Sequence, residues 1–304
     1  QELMISLGGV QRQMLTAFAA VAAVAMIAAL IFSRVLTGPI ARLTKTIQRM
    51  GKGDLSARVQ VKGSGEMRAL AQAYNAMAEK LESLDQSRNQ FVSNASHELK
   101  TPMTTLKIML QSLIAQPDMP AELRTEFMQD MHHEIDRLTG IVNDLLTLTR
   151  MDSHAMTLKL GSLDLCELAQ STLRRLEPMA EQRGQRLTAD LSESLLLTAD
   201  GAKLEQVMYN LVENAVKYTP EGGHIHVAVF RTGKQAVFAV TDDGPGIPAE
   251  DQPHIFDRFY RVDKARSRET GGTGLGLSIV KQIVALHHGT VTVESQEGTG
   301  SPFR

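Results

Sequence analysis

Ser96-His97-Glu98-Leu99-Lys100-Thr101-Pro102 sets a histidine beside a carboxylate inside a long stretch of helical pattern. Residues on a helix advance by 100° each, so Ala95 and Leu99 both sit about 200° from His97. Phe91, Ala95, Leu99, Met103 and Leu106 continue one apolar stripe. The imidazole is therefore expected on the opposite, outward side, where it offers a nucleophile rather than a packing group. Taken alone it reads as an ordinary surface histidine. What decides between the two lies more than a hundred residues downstream, in a set of glycine-rich and amide-bearing motifs.

The helix around His97 runs on to about Ala115, and Gln116-Pro117-Asp118-Met119-Pro120 is a turn. A second helix follows, with Phe127, Met131, Ile135, Leu138, Val142, Leu145 and Leu148 on one face. A two-helix hairpin cannot bury both of its apolar stripes by itself, so dimerisation into a four-helix bundle is expected. His132 and His133 on the second helix read as surface residues, because neither carries the carboxylate and threonine spacing of His97.

Beyond Asp152 the pattern changes. Glu167–Glu181, Lys203–Tyr218 and Gly276–His288 read as helices, and Ile225–Phe230, Gln235–Thr241 and Thr290–Glu294 as Val-rich alternating strands. Helices grouped with a mixed or antiparallel sheet indicate an α+β layered domain. On the helix Lys203–Tyr218, Asn210, Asn214 and Lys217 share the face opposite the apolar one. Amide oxygens can ligand Mg²⁺, and the lysine can neutralise phosphate; two asparagines on a helix are also read as merely solvent-facing. After the strand ending at Thr241 comes Asp242-Asp243-Gly244-Pro245-Gly246-Ile247-Pro248. Its glycines let backbone approach a flat ligand, and a carboxylate at a strand end can accept from an exocyclic amine; the alternative is a plain tight turn. Third is Gly271-Gly272-Thr273-Gly274-Leu275-Gly276-Leu277 running into a helix, a phosphate-binding arrangement that is neither a Walker A loop nor a Rossmann fingerprint. The charged segment from Pro248 to Gly271, with Phe256-Asp257-Arg258-Phe259-Tyr260 in its middle, suits a mobile lid.

Upstream of the histidine, residues 13–33 carry no charge and are nearly all aliphatic, long enough to span a bilayer rather than serve as a signal-peptide core. Arg12 and Arg34 bracket this run, and Arg42, Lys45 and Arg49 follow, so its C-terminal side is read as cytoplasmic. Pro39 opens a helix with Ile40, Leu43, Ile47 and Met50, which Gly51-Lys52-Gly53-Asp54 ends. A connector with Leu55, Val59 and Val61 leads to Gly63-Ser64-Gly65. Then Met67, Leu70, Tyr74, Met77, Leu81 and Leu84 form a heptad seam that asks for partner helices.

At 304 residues the chain exceeds one ordinary core. A net charge of −2 and a pI near 6.5 supply no argument for nucleic acid as a partner. The single cysteine, Cys166, excludes an internal disulfide and a Cys-rich metal site, and its apolar surroundings predict burial. The chain starts at Gln1 and its last residues read as an interrupted strand, so a piece of a longer protein is expected.

The order and spacing of these motifs resemble, over about 265 residues, the cytoplasmic half of a transmembrane sensor histidine kinase of the two-component type. Ser-His-Glu-Leu-Lys-Thr-Pro is similar to that family's phospho-acceptor box, and Asn210-Leu-Val-Glu-Asn214-Ala-Val-Lys217-Tyr218 to its N box. Asp242 with Gly244, Gly246 and Ile247 resembles the first glycine box. Arg258 and Phe259 fall in an F-box-like segment, and Gly272, Thr273, Gly274, Leu275, Gly276 and Leu277 in a second glycine box. Pro39 and Glu66 match a HAMP linker. Departures are Asp243, where the family often has Asn, and a chain end just past Phe303 that would omit a final strand.

The resemblance implies a multi-domain chain: an extracytoplasmic stub (1–12), a transmembrane helix (13–36), an all-α HAMP linker (37–88), a dimerisation and phosphotransfer hairpin (89–152) and an α+β layered-sandwich ATP-binding domain (153–304). It implies a homodimer in the bacterial plasma membrane with a single span in this chain. The catalytic part would be cytoplasmic and use ATP and Mg²⁺, with Asn210 holding the metal. His97 would take the γ-phosphoryl group and pass it to an aspartate of a cognate response regulator. Glu98 would accept the N–H of the other ring nitrogen, Asp242 would select adenine, and Lys217 and Arg258 would offset charge. Thr101 would serve dephosphorylation of the regulator. The competing readings are an ATPase or chaperone-like machine of the same nucleotide fold and a non-catalytic membrane scaffold.

Overall fold

The computed structural model describes residues 2–33, 37–60, 65–152, 157–191, 194–263 and 272–304. Arg34, Val61, Gly63, Ser64, Gly271 and the remainder of the expected lid from 264 onward lie outside the described residues. The chain divides into two compact units, Gln1–Gln90 and Phe91–Arg304.

In the first unit α1 covers Glu2–Phe32, of which Arg12–Phe32 is long and apolar enough to cross a membrane. Its side chains from Met14 to Phe32 are exposed, as a lipid-facing helix requires. Helix α2, Gly38–Gly51, has Pro39 in its first turn, where a missing N–H costs nothing, and Arg49 in its last. Helix α3 runs from Glu66 to Ala115. Leu43 of α2 packs with Tyr74 and Ala78 of α3, and Val59 of the connector joins them. Asn75 clamps that connector by bonding both the N–H and the carbonyl of Val59, each at 2.9 Å. Ile40, Ile47, Leu70, Met77, Leu81 and Leu84 remain exposed, leaving most of the heptad seam for a partner helix.

In the second unit α3 continues past His97, and α4, Ala121–Asp152, returns after a turn in which Met119 is buried. The buried side chains of α4 are Ile141, Leu148 and Met151. Ile135 and Val142, expected on the covered face, are exposed, as is Met103 on α3. Next come β1 (Gly161–Asp164), α5 (Leu165–Gln182), β2 (Arg186–Leu191), β3 (Leu196–Ala199), α6 (Gly201–Tyr218), β4 (His224–Thr232), β5 (Gln235–Asp242) and α7 (Gly276–Leu286). Asp164 caps α5 by accepting from Cys166 N, and Asp200 caps α6 by accepting from Lys203 N.

The main sheet has the order β2-β4-β5, with β2 parallel and β5 antiparallel to β4. A separate antiparallel pair joins β1 to β3. Ile225, Val227 and Val240 point into a core closed by Leu176 of α5, Leu211 and Val212 of α6, and Ile279 and Ile283 of α7. Leu148 and Met151 belong to the same core, so the end of the helical hairpin is packed into the α+β layer.

One expectation is corrected, and three strands appear that the sequence did not announce. The segment Thr290–Glu294 is not a strand: it forms only an isolated bridge from Val293 to Phe303, which also bridges Val240. The short strands β1, β2 and β3 escape sequence reading, because four to six residues with no clean alternation carry too weak a period.

Candidate functional site

His97 is exposed on α3, as its position opposite the apolar stripe requires. Thr101, one turn on, is also exposed, and its Oγ1 donates to the carbonyl of His97 at 3.3 Å. Glu98 departs from expectation. Among the described residues no hydrogen bond joins it to His97. Its Oε2 instead accepts from Arg261 Nη2 at 2.8 Å and lies 3.9 Å from Arg137 Nη2. Glu98 is drawn toward Arg137 of α4 and Arg261, while the His97 side chain is exposed. The Arg261 side chain is only 7 % exposed, which strengthens the pair by excluding water.

The downstream motifs converge in part on a cavity of about 270 Å³, which Asn210, Lys217, Gly244, Phe259 and the stretch from Gly272 to Gly276 do not line. Asn214 and Tyr218 reach it from α6, Asp242, Gly246 and Ile247 from the loop after β5, and Leu277 from the first turn of α7. Ile255, Tyr260, Arg261 and Phe303, none singled out from sequence, complete the wall. Asp242 Oδ1 accepts from Gly244 N at 2.9 Å, which closes the turn beneath the carboxyl. Gly246 is required by the backbone: φ is 73°, and a Cβ there would lie 2.0 Å from Gln296 O.

The second glycine box is drawn in by hydrogen bonds. Asn210 Nδ2 donates to Gly276 O at 3.3 Å, and Phe259 N donates to Gly274 O at 2.8 Å. Thr273 Oγ1 accepts from Leu275 N at 3.2 Å, and Leu275 is fully buried behind the half-buried Gly272 and Thr273. Phe259 holds φ at 63°, a left-handed conformation costly for a bulky residue. Its ring packs 5.7 Å from that of Phe91 on α3. Lys217 pairs with Glu213 at 3.0 Å rather than standing apart as an isolated cation.

Arg258 does not line the cavity. Its guanidinium grips Asp152 at the end of α4 with two hydrogen bonds, one of 2.7 Å, and lies 5.3 Å from the ring centroid of Phe91. The expectation of a freely moving lid fails for its described half. Ile255 is buried, Phe256 and Phe259 pack on the core, and Tyr260 bonds Asp251 through its hydroxyl. Two aromatic rings and a bidentate arginine outweigh the polar composition that suggested a loose loop.

Two carboxyls are pushed up to about 6. For Asp242 the chief cause is burial, opposed by hydrogen bonds from Gly244 and Ser301 N–H and reinforced by Asp243. For Asp144 on α4 burial again leads, Glu213 adds to it, and the Thr273 hydroxyl and Lys217 oppose it. Sequence reading passed over Asp144. It stands three residues after Ile141 and four before Leu148, a lone acid on the buried face of α4, and that misfit was the available signal.

A mixed sheet backed by three helices, with an aspartate at a strand end, one glycine loop lining a cavity and a helix that contributes Leu277 to it, fits an ATP-binding domain joined to a histidine-bearing helical hairpin. Family models agree in order along the chain. Residues 31–83 match the HAMP domain, 87–154 the His Kinase A (phospho-acceptor) domain, and 199–304 the histidine kinase-, DNA gyrase B- and HSP90-like ATPase. The sensor histidine kinase WalK of Bacillus subtilis is 37 % identical over 222 residues, covering 72 % of this chain and 36 % of WalK. The sensor-like histidine kinase SenX3 of Mycolicibacterium smegmatis is 37 % identical over 220 residues, covering 72 % and 57 %. Among solved structures, the Acinetobacter baumannii histidine kinase AdeS matches with a TM-score of 0.57 at 26 % identity, over 68 % of this chain and 95 % of that one. Full-length ShkA in complex with AMPPNP matches with a TM-score of 0.53 at 27 % identity, over 69 % and 44 %. The chain belongs to the two-component sensor histidine kinases. It spans only 36 % and 57 % of the length of the two curated relatives.

Proposed function

We propose that this chain is the membrane-anchored kinase part of such a sensor: an ATP-dependent protein-histidine kinase that phosphorylates His97 and hands the group to an aspartate of a response regulator. The observation that carries the reading is the convergence of Asn214, Tyr218, Asp242, Gly246 and Leu277 on one cavity in a chain that also presents an exposed His97. The nucleotide analogue held by the related ShkA supports ATP as the occupant. We assign residues 13–36 to the span, 37–88 to the HAMP linker, 89–152 to the hairpin and 153–304 to the catalytic domain. The exposed Ile108, Ile114, Met128, Ile135 and Val142 on the hairpin supply the apolar surface of a homodimer.

A neutral imidazole keeps one free lone pair. In the reaction that lone pair of His97 attacks the γ-phosphorus. The bond to the ADP oxygen breaks as the N–P bond forms, and the proton on the other ring nitrogen is shared with Glu98. For that, Glu98 must first part from Arg261, so the pair described above is a resting arrangement. Asp242 accepts from the adenine amino group, and the second glycine box offers N–H groups to the phosphates. Asn210 suits a Mg²⁺ ligand, since its Nδ2 is committed to Gly276 O and among the described residues its Oδ1 accepts no hydrogen bond. The ion there would offset charge on the transferring group. Thr101 holds the attacking water when the kinase dephosphorylates its regulator.

The test is incubation of the solubilised chain with γ-labelled ATP. Acid-labile label on the protein, lost in His97→Gln, is expected. Release of inorganic phosphate with no labelled protein would transfer the argument to an ATP-hydrolysing machine. Label that persists in His97→Gln would remove the acceptor assignment.

A further inference from the structure

The first unit holds a second cavity, again about 270 Å³, between α2, α3 and the connector. Arg42, Lys45, Arg49 and Arg58 line it, among the described residues no carboxylate does, and Leu43 and Val59 form part of an apolar floor. The nucleotide reading makes no use of this site. Arg42, Lys45 and Arg49 recur at i, i+3 and i+7, so they form one stripe on α2, turned away from Ile40 and Ile47. Arg49 already pairs with Asp54 at 2.6 Å and Arg58 with Glu82 at 2.5 Å. Among the described residues neither Arg42 nor Lys45 has a carboxylate partner, so two charges at the rim are left for an anion.

The position of the stripe in the chain says which anion. The apolar run of α1 ends at Phe32 and α2 begins at Gly38. Arg42 follows the end of the span by only ten residues, so the stripe belongs to the first helix beyond the bilayer. Cations beside a membrane are attracted to anionic headgroups by about 1 kcal/mol each. An apolar floor under a cationic rim also matches a phospholipid, which presents a phosphate above glycerol and methylene carbons. We infer that this groove binds the headgroup phosphate of an anionic phospholipid from the leaflet at the C-terminal end of α1. The inference rests on the membrane-spanning reading of Arg12–Phe32 and adds a ligand to the linker beneath it.

The test uses the whole chain in two experiments. Flotation with phosphatidylcholine vesicles asks whether α1 enters a bilayer. If the chain stays unbound, the membrane reading is lost and the lipid inference with it. Native mass spectrometry of the detergent-solubilised chain, titrated with phosphatidylglycerol or phosphatidylcholine, then asks about the groove. At least tenfold tighter retention of phosphatidylglycerol is expected. Arg42→Gln combined with Lys45→Gln should weaken it by up to about 30-fold, from ~1 kcal/mol per cation. The charge-keeping pair Arg42→Lys and Lys45→Arg should retain it. A chain that floats but holds both lipids equally, or whose neutralised variant is unchanged, overturns the groove while leaving the span intact. Displacement of phosphatidylglycerol by an equal concentration of inorganic phosphate would overturn it too, by showing a small-anion site.

Discussion

Asp242→Asn separates what the nucleotide cavity costs the fold from what it gains in binding. The wild-type carboxyl is 5 % exposed and is pushed from its usual 3.8 up to about 6. That displacement is more than a hundredfold in proton affinity, or about 3 kcal/mol at 1.36 kcal/mol per tenfold step. Because the folded value is raised, the contribution to stability is fully present below pH 3.8. It is lost as pH climbs through about 6, leaving the ionised, buried carboxylate as a cost above pH 7. Asparagine keeps an Oδ1 for the Gly244 amide and carries no charge. The variant should therefore match wild type near pH 4 and exceed it by up to about 3 kcal/mol at pH 8, before any cost of placing the extra N–H₂. For a unit of this size that is roughly 6–12 °C in the melting transition without nucleotide. Asp144 titrates in the same range in both proteins, so the difference between them isolates Asp242. ATP should bind the variant about 10–100-fold more weakly, as a charge-assisted bond becomes a neutral one. Thermal melts at pH 4.5 and pH 8, paired with nucleotide titration, decide the matter. A variant less stable than wild type at pH 8, or equally stabilised at both pH values, would refute the reasoning.

Other expectations follow from particular contacts. Gly246→Ala forces a Cβ to 2.0 Å from Gln296 O and should abolish ATP binding, whereas Gly233→Ala, at φ 60° in open space, should cost only about 1 kcal/mol. Calorimetric melts of the two variants compare them. Glu98→Gln should slow autophosphorylation at least tenfold with the ATP dissociation constant unchanged; unaltered initial rates would remove its role at the ring. Thr101→Ala should keep autophosphorylation and lose dephosphorylation of the purified regulator. Arg258→Ala breaks the grip on Asp152, so amide exchange across Ile255–Tyr260 should accelerate.

The exposed histidine, the long helices and the three glycine-rich and amide-bearing motifs were all legible in the amino-acid sequence. Each rests on a local rule: a 3.6-residue period, a glycine where φ turns positive, a proline in a first helical turn. His97 faces outward because Ala95 and Leu99 do not, and no distant residue is needed to say so. Where side chains spend their charge was a different matter. Glu98 meets Arg261 across 163 residues and Arg258 meets Asp152 across 106, and neither pairing has a period or spacing to betray it. The same holds for the cavity floor, where Phe303 arrives beside Asp242 through a single bridge to Val240. Local sequence sets which way a residue points from its own helix or strand. The partner it finds depends on how separate elements pack, and packing is decided by the whole core at once.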